Sequence, residues 1–308
     1  MSPEARVGLD VGGTRIKAGR IRSDGEVLEE RSVPTAADSE GLASQLAQLA
    51  RELDFGGAPI GVGLPGLLDR ARGVITNSPN IAQLEGLDLG RALGSALGID
   101  AADVQLENDA NAAALGEDWL GAGRDLDSTL TVTLGTGIGG GLVLAGQLYR
   151  GDGQAGEVGH VRVRPDGPPC GCGGRGCAET LASATATRRR AVERGLPAED
   201  PGNLELLNER ATDRSSPEAA LLHEIGFDLG IALSAVVNLL DLRHFVIGGG
   251  FSAALPALEP GIRAGIREGA YGDRVDAISI RRATLGGSAG WIGAARLAHG
   301  EALFPPAP

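Results

Sequence analysis

The sequence predicts an α/β fold, two α/β domains around a cleft, and three observations lead there. Short apolar strands alternate with helical segments along 308 residues, enough for two medium domains or one large one with a cleft. A strand, a Gly/Thr turn and a returning strand occur twice, in LDVGGTRIKAGRI and in TLGTGIGGGLVL, as duplicated halves would present them to a shared cleft. Glycine makes up 50 of the 308 residues, more than twice its usual share of about 7%. That abundance suits tight turns and backbone in close approach to ligands.

In order, Arg6 to Leu9 read as a strand ending at Asp10. Gly12 and Gly13 turn the chain, and Ile16, Ala18 and Ile21 suggest a second strand. An Asp at a strand tip followed by GGT suits phosphate. Small residues admit phosphoryl oxygens, the Thr14 hydroxyl and backbone amides donate, and Asp10 can hold Mg²⁺ directly or through water. The stretch is neither Walker A nor the Rossmann fingerprint, and taken alone it reads first as a Gly-rich hairpin turn. A turn at Ser23 to Gly25 precedes a third strand in EVLEERSVPT, Asp38 to Leu53 carries helical periodicity, and IGVGLPG after Pro59 is a buried strand. In the polar turn NSPNIAQL, Asn80 caps the turn or faces a ligand.

Val104 to Leu106 form a strand, and Asp109 opens a helix through ANAAALGEDWL. Asn108 and Asp109 thus stand at a strand-to-helix junction, the usual ligand edge of an open α/β sheet. An N-cap role for Asn108 and a first-turn acid role for Asp109 account for them equally well. GAGRDLD, 121–127, marks a boundary or hinge. Beyond it lies the second Gly/Thr turn, Gly135 to Gly137, and the repeated strand context makes both turns phosphate-binding hairpins for a nucleotide between domains. LASATATRRRAVERG is helical, with Arg188 to Arg190 on a solvated face, and 196–215 is polar and carries no functional reading. Ser216 and Pro217 start a long apolar core helix in which His223 is a structural residue. HFVIGGGFSAA runs a strand into Gly248, Gly249 and Gly250 and then a helix, a junction able to seat the sugar and base of a nucleotide on bare backbone. DAISIRRATLGG gives a further strand, SAGWIGAARLAHG a closing helix and LFPPAP a frayed tail. The expected domains are 1–122, with the helix at about 289–302 packing back on it, and 123–288, which holds the cysteine loop and the nucleotide seat.

The formal net charge of −12 argues against a nonspecific nucleic-acid binder and against an anionic membrane surface. Aromatics at 3% leave few platforms for stacking bases. No charged region followed by an apolar one opens the chain, and LGIALSAVVNLLDL is shorter than a membrane span. The expectation is a cytoplasmic protein with no nucleic-acid or membrane partner, whose thiols stay reduced.

The chain has 3 cysteines, Cys170, Cys172 and Cys177, and all follow His160 closely. Thiolates and an imidazole suit a closed tetrahedral zinc site. The run from Pro165 to Gly176 has too few apolar side chains to hold itself, and a metal supplies the missing constraint. An odd count and the closeness of Cys170 to Cys172 fit a disulfide framework poorly; unligated thiols are the alternative. Glu157 and Glu179 bracket the cluster.

Together these features suit phosphoryl transfer from a Mg-nucleotide to a hydroxyl of a neutral polar substrate, with positive charge from Mg²⁺ and amide dipoles. Asp109 would accept or orient the hydroxyl proton. Asn108, Glu157, His160 and Glu179 can satisfy a ring of sugar hydroxyls, and a zinc-bound His160 keeps a proton on its other nitrogen for donation.

The sequence resembles the ROK family of sugar kinases and regulators, most of all its bacterial glucokinases. The resemblance runs from LDVGGTRIKAG to LGGSAGWIGAA, with DVGGT, ENDANAAALGE, LGTGIGGG, GEVGH and CGCGGRGCAE as its specific parts. It implies the actin-like ATPase (ribonuclease H-like) fold and ATP-dependent phosphorylation of glucose at the 6-hydroxyl. It further implies Asp109 as catalytic base, and Asn80, Asn108, Glu157, His160 and Glu179 on the hexose. His160, Cys170, Cys172 and Cys177 would bind one structural Zn²⁺. Asp10, Gly12, Gly13, Thr14, Lys17, Gly135, Thr136, Gly137 and Gly248 to Gly250 would serve ATP and Mg²⁺. A homodimer or homotetramer is also implied.

Family regulators carry an N-terminal helix-turn-helix extension, and about five residues precede the first strand here, so the expectation is an enzyme. Many glucokinase-like members have an aromatic soon after the PN element, and PNIAQLEGL has none. An N-acetylmannosamine or N-acetylglucosamine kinase therefore stands as the alternative. A sugar-sensing protein without catalysis is a further one, against which Asp109 and both hairpins speak.

Overall fold

The computed structural model describes residues 4–69, 74–78, 81, 84–197, 203–272 and 275–300. In chain order the strands and helices begin β1 (Ala5–Val11), β2 (Arg15–Arg22), β3 (Val27–Pro34), α1 (Ser39–Glu52), β4 (Ile60–Leu64), β5 (Leu67–Asp69) and β6 (Val74–Asn77). There follow α2 (Leu89–Leu97), β7 (Val104–Asn108), α3 (Asp109–Leu120), β8 (Thr129–Leu134), β9 (Ile138–Leu144) and β10 (Gln147–Tyr149). The remainder are α4 (Ala178–Ala182), α5 (Ala184–Glu193), α6 (Asn203–Arg210), α7 (Pro217–Leu240), β11 (His244–Gly248), α8 (Leu255–Gly269), β12 (Ser279–Arg282) and α9 (Ala289–His299).

The chain forms two compact units, one of residues 1–128, 141–156 and 285–308, the other of 129–140 and 157–284. The first boundary falls just beyond the Gly121–Asp127 segment. Residues 141–156, which a cut at 122 places with the C-terminal domain, group instead with the first unit.

The first unit is built on a five-stranded sheet in the order β3-β2-β1-β4-β7. β1, β2 and β3 form an antiparallel meander, while β4 and β7 run parallel to β1 because helices cross over between them. Val7, Leu9, Ile60 and Val62 are wholly buried with Leu42 and Leu46 of α1 and Leu89 and Leu93 of α2. Asp38 caps α1 and Asp88 caps α2. α9 lies on β1 and β4 with almost no spacer: a Cβ on Gly61 would stand 1.7 Å from the Ala294 carbonyl oxygen. Sequence patterning gave no reading of α2, nor of the hairpin β5-β6.

In the second unit β11 pairs in parallel with β8 on one side and β12 on the other. α7 starts as its sequence suggests, with Ser216 as N-cap and Pro217 in its first turn. It runs for 24 residues, and its most apolar stretch of 18 has a mean hydropathy of 1.6. By length and composition it could cross a membrane, yet 61% of that stretch is buried inside the protein. It is a core helix.

Three local expectations change. The run Leu181 to Gly195 is not one helix, because Ser183 is extended (φ −70°, ψ 166°) and its hydroxyl caps α5 by accepting from the Ala186 amide at 3.1 Å. The Arg188–Arg190 triplet is not a uniformly solvated face. Arg190 is only 12% exposed and pairs with Asp228 of α7 at 2.8 Å, a carboxylate that is itself 1% exposed. His223 is exposed, since the apolar stripe of α7 turns its neighbours Leu221, Leu222 and Ile225 inward instead.

Candidate functional site

The residues expected to act fall into two groups, one in each unit. In the first, Asp10 ends the apolar part of β1, and Gly12 to Thr14 turn the chain into β2, closed by the Gly12 amide donating to the Arg15 carbonyl at 3.0 Å. The Thr35 hydroxyl and amide bind the carbonyls of Gly12 and Thr14. Gly13 and Thr14 are exposed. Lys17 stands opposite Asp10 in the β1-β2 register. A Cβ on Gly290, in the first turn of α9, would lie 2.5 Å from the Asp10 carboxylate, so only glycine lets the acid sit there. Burial and the Asp109 charge push Asp10 up to about 7, while Lys17 pulls it down. A cation beside Asp10 would oppose both effects and favour the ionised carboxylate, so this acid can serve Mg²⁺.

Asn108 and Asp109 sit where β7 becomes α3. The Asn108 carbonyl oxygen Oδ1 accepts from the amides of Ala110 at 2.9 Å and Asn111 at 3.1 Å, and its Nδ2 donates to the Gly66 carbonyl at 3.2 Å. The N-cap role is thus filled. Asp109 is half-buried, and its carboxylate accepts from the Ala110 amide at 2.9 Å.

Sequence reading missed the residue before them. Glu107 is 3% exposed and binds Arg150 Nε at 2.7 Å, Asn111 Nδ2 at 3.1 Å and the Asn108 amide at 3.0 Å. Strand alternation gave no signal for it: it groups Glu107 with exposed Gln105 and not with buried Val104, yet Glu107 is buried. Its partner, 43 residues away, had none either.

In the second unit, β8 delivers Gly135, Thr136 and Gly137, and the Gly135 amide donates to the Gly137 carbonyl at 3.0 Å. Glu179, in the first turn of α4, accepts from the Ile138 amide at 3.0 Å. A Cβ on Gly137 would lie 2.2 Å from the same carboxylate oxygen. Glu157 precedes the 3₁₀ turn Val158–His160. Burial raises its carboxyl, His160 lowers it and Glu179 raises it, so the three polar candidates influence one another. His160 Nε2 is 3.9 Å from Glu157. At the carboxyl end of β11, Gly249 (φ 83°) and Gly250 are exposed backbone, and α8 follows after a 3₁₀ turn. Asn80 lies outside the described residues, as does the tail beyond residue 300.

The ligand atoms of His160, Cys170, Cys172 and Cys177 all lie within 4.8 Å of one another. Cys172 and Cys177 sulfurs are 3.7 Å apart, and Cys170 Sγ is 3.6 Å from His160 Nδ1. Tetrahedral zinc with ordinary bond lengths holds two sulfurs about 3.8 Å apart and sulfur and nitrogen about 3.6 Å apart. The donors therefore fit zinc, and no sulfur pair is at the roughly 2.05 Å of a disulfide. Burial and its neighbouring thiols push Cys177 up to about 12 and burial raises Cys170, whereas the Gly174 backbone lowers Cys172. Bound metal would let all three ionise. The loop is anchored by Val163 and Arg164 amides on the Gly176 carbonyl, and by Arg164 on Asp228 at 2.9 and 2.6 Å. Asp228 thus receives both Arg164 and Arg190. Sequence spacing did not show that contact.

The sequence pattern of the ROK family matches residues 6–301. A glucokinase of Thermotoga maritima is 34% identical over 307 residues, covering 94% of this chain and 96% of its own. A kanosamine kinase of Amycolatopsis mediterranei is likewise 34% identical, over 97% of each chain. Among solved structures, a ROK family glucokinase from Streptomyces griseus in complex with glucose and AMPPNP superimposes with a TM-score of 0.78 at 32% identity, covering 96% of this chain and 99% of that one. The chain has the α/β actin-like sugar-kinase fold, with mixed sheets and a His/Cys cluster able to hold a metal.

Proposed function

The chain belongs to the ROK family, as an ATP-dependent sugar kinase, and we propose that it is a glucokinase that phosphorylates the 6-hydroxyl of glucose. One observation carries the proposal: Asp109 opens α3 at the ligand edge of the first sheet, with its charge felt by Asp10. A carboxylate at a helix N-terminus is favoured in its ionised form, which a base for a hydroxyl proton requires. Near-complete coverage of a bacterial glucokinase supports the choice of sugar.

In this reading Asp109 takes the proton as the hydroxyl oxygen attacks the γ-phosphorus of ATP. Asp10 would hold Mg²⁺, with Lys17 beside it and the amides and hydroxyl of Gly12, Gly13 and Thr14 toward phosphate. Gly135, Thr136 and Gly137 supply a second bare turn, and Gly248 to Gly250 seat the nucleoside. Asn108, Glu157, His160 and Glu179 bind sugar hydroxyls. Zinc held by His160 Nδ1 and the three thiolates would supply a rigid cross-link, and four protein ligands leave it no open position. His160 Nε2 then carries a proton on the side facing Glu157.

Steady-state phosphorylation with Mg-ATP, run on glucose, mannose, fructose, N-acetylglucosamine, N-acetylmannosamine and kanosamine, tests the proposal. Glucose with the highest kcat/KM supports it, and turnover confined to an amino sugar overturns it. The amino-sugar reading has its own support, because the kanosamine kinase is as similar to this chain as the glucokinase is. A homodimer or homotetramer belongs to the same proposal. Sedimentation of the purified chain as a monomer would end that part.

A further inference from the structure

We propose that Glu107 and Arg150 are positioning residues for Asp109, holding the β7–α3 turn in the one geometry that aims its carboxylate. The inference rests on the reading of Asp109 as the base. Glu107 Oε1 accepts from the Asn108 amide at 3.0 Å and from Asn111 Nδ2 at 3.1 Å, so one carboxylate oxygen grips the chain on both sides of Asp109. Oε2 accepts from Arg150 Nε at 2.7 Å. Arg150 follows β10, and all these residues lie within the first unit.

A helix cap alone does not call for this arrangement. Asn108 already satisfies the amides of Ala110 and Asn111 through its own side chain. A buried ion pair adds little net stability, because desolvation offsets its Coulomb gain. What the pair does add is direction. Glu107, 3% exposed, accepts three hydrogen bonds, which a carboxylate does best, and the Arg150 cation beside it compensates that charge. A reacting group displaced by about 1 Å loses on the order of 10²-fold in rate, and the clamp acts over that range.

Arg150 also lines a cavity of ≈ 510 Å³ in the first unit, bordered by Gln105, Gln147 and Arg296 among others. A small cation can therefore reach the place that truncating Arg150 would vacate.

Glu107→Gln keeps the shape but replaces one carboxylate oxygen by an NH₂ that cannot accept, either from Arg150 Nε or from the Asn108 amide and Asn111 Nδ2, and removes the charge that Arg150 faces. Its kcat should fall about 10- to 100-fold while the sugar KM shifts less than about threefold. Arg150→Ala should show the same split, and millimolar guanidinium should restore part of its kcat while leaving the wild type unchanged. Thermal melts establish that the variants are folded, and Arg150→Ala with and without guanidinium decides if Glu107→Gln does not fold. A folded variant with wild-type kcat, or an Arg150→Ala loss that guanidinium leaves untouched, overturns the proposal. A wild-type chain without sugar-dependent phosphoryl transfer instead removes the reading of Asp109, and that is measured before any variant is compared.

Discussion

Gly137→Ala is a small change that reaches the proposed sugar wall without replacing a charged group. The added Cβ would lie 2.2 Å from Glu179 Oε2, whereas ordinary contact begins at 3.4 Å, so the carboxylate must retreat by about 1.2 Å. Glu179 holds that place through a 3.0 Å hydrogen bond from the Ile138 amide, which a retreat of this size breaks. A hydrogen bond to a charged group contributes about 1.5–3 kcal/mol. Because the clash falls on the end of a side chain and not on backbone, α4 and the β8–β9 turn need not shift. The effect should therefore appear in sugar binding: a rise in glucose KM of roughly 10- to 100-fold, each 1.4 kcal/mol being tenfold, with ATP KM changed little. Initial-rate kinetics varying each substrate in turn measure this, beside a melting curve expected to move by only a few degrees. A glucose KM within about twofold of wild type would refute Glu179 as a sugar ligand held by this turn.

Three further outcomes are expected. Asp109→Ala should lower kcat by about 10²–10⁴-fold, the usual contribution of a positioned general base; near-normal kcat in single-turnover assays would remove that role. Cys177→Ser should reduce zinc per chain, read by elemental analysis, and lower both Tm and glucose affinity, whereas full activity in metal-free protein would make the cluster dispensable. Buried His299, packed edge-on against Trp119 with ring centroids 5.7 Å apart, is held down to about 4 mainly by burial, then by the Arg6 charge. Its folded value lies below the ordinary 6.5, so the stability it supports is full above pH 6.5 and is lost as pH falls toward about 4. His299→Phe should flatten the Tm profile across that window, and an unchanged slope would sink the assignment.

Chemistry carried by neighbours in sequence was legible from the residues alone. His160, Cys170, Cys172 and Cys177 sit within one loop, so their spacing already limits how far apart four donors can be, and the fold brings them within 4.8 Å. The junction at Asn108 and Asp109 was equally readable, because strand and helix periods change there and the cap follows from local backbone needs. The order of apolar residues also set the α/β class, through alternating strand and helix periods.

Contacts between distant residues were decided only by the tertiary structure. Nothing in the pattern around Arg150 points to Glu107, nor anything around Asp228 to both Arg164 and Arg190. Burial of Arg190 and exposure of His223 depend on how α5 and α7 turn against their surroundings, which a residue's own neighbours do not specify. Residues 141–156 joined the first unit for the same reason: the partners that define a compact unit are set by packing, not by order along the chain. The sequence by itself therefore determined the donor sets and the local turns. The three-dimensional fold chose which buried charges compensate one another, since a buried ion pair is stable only where geometry brings its partner.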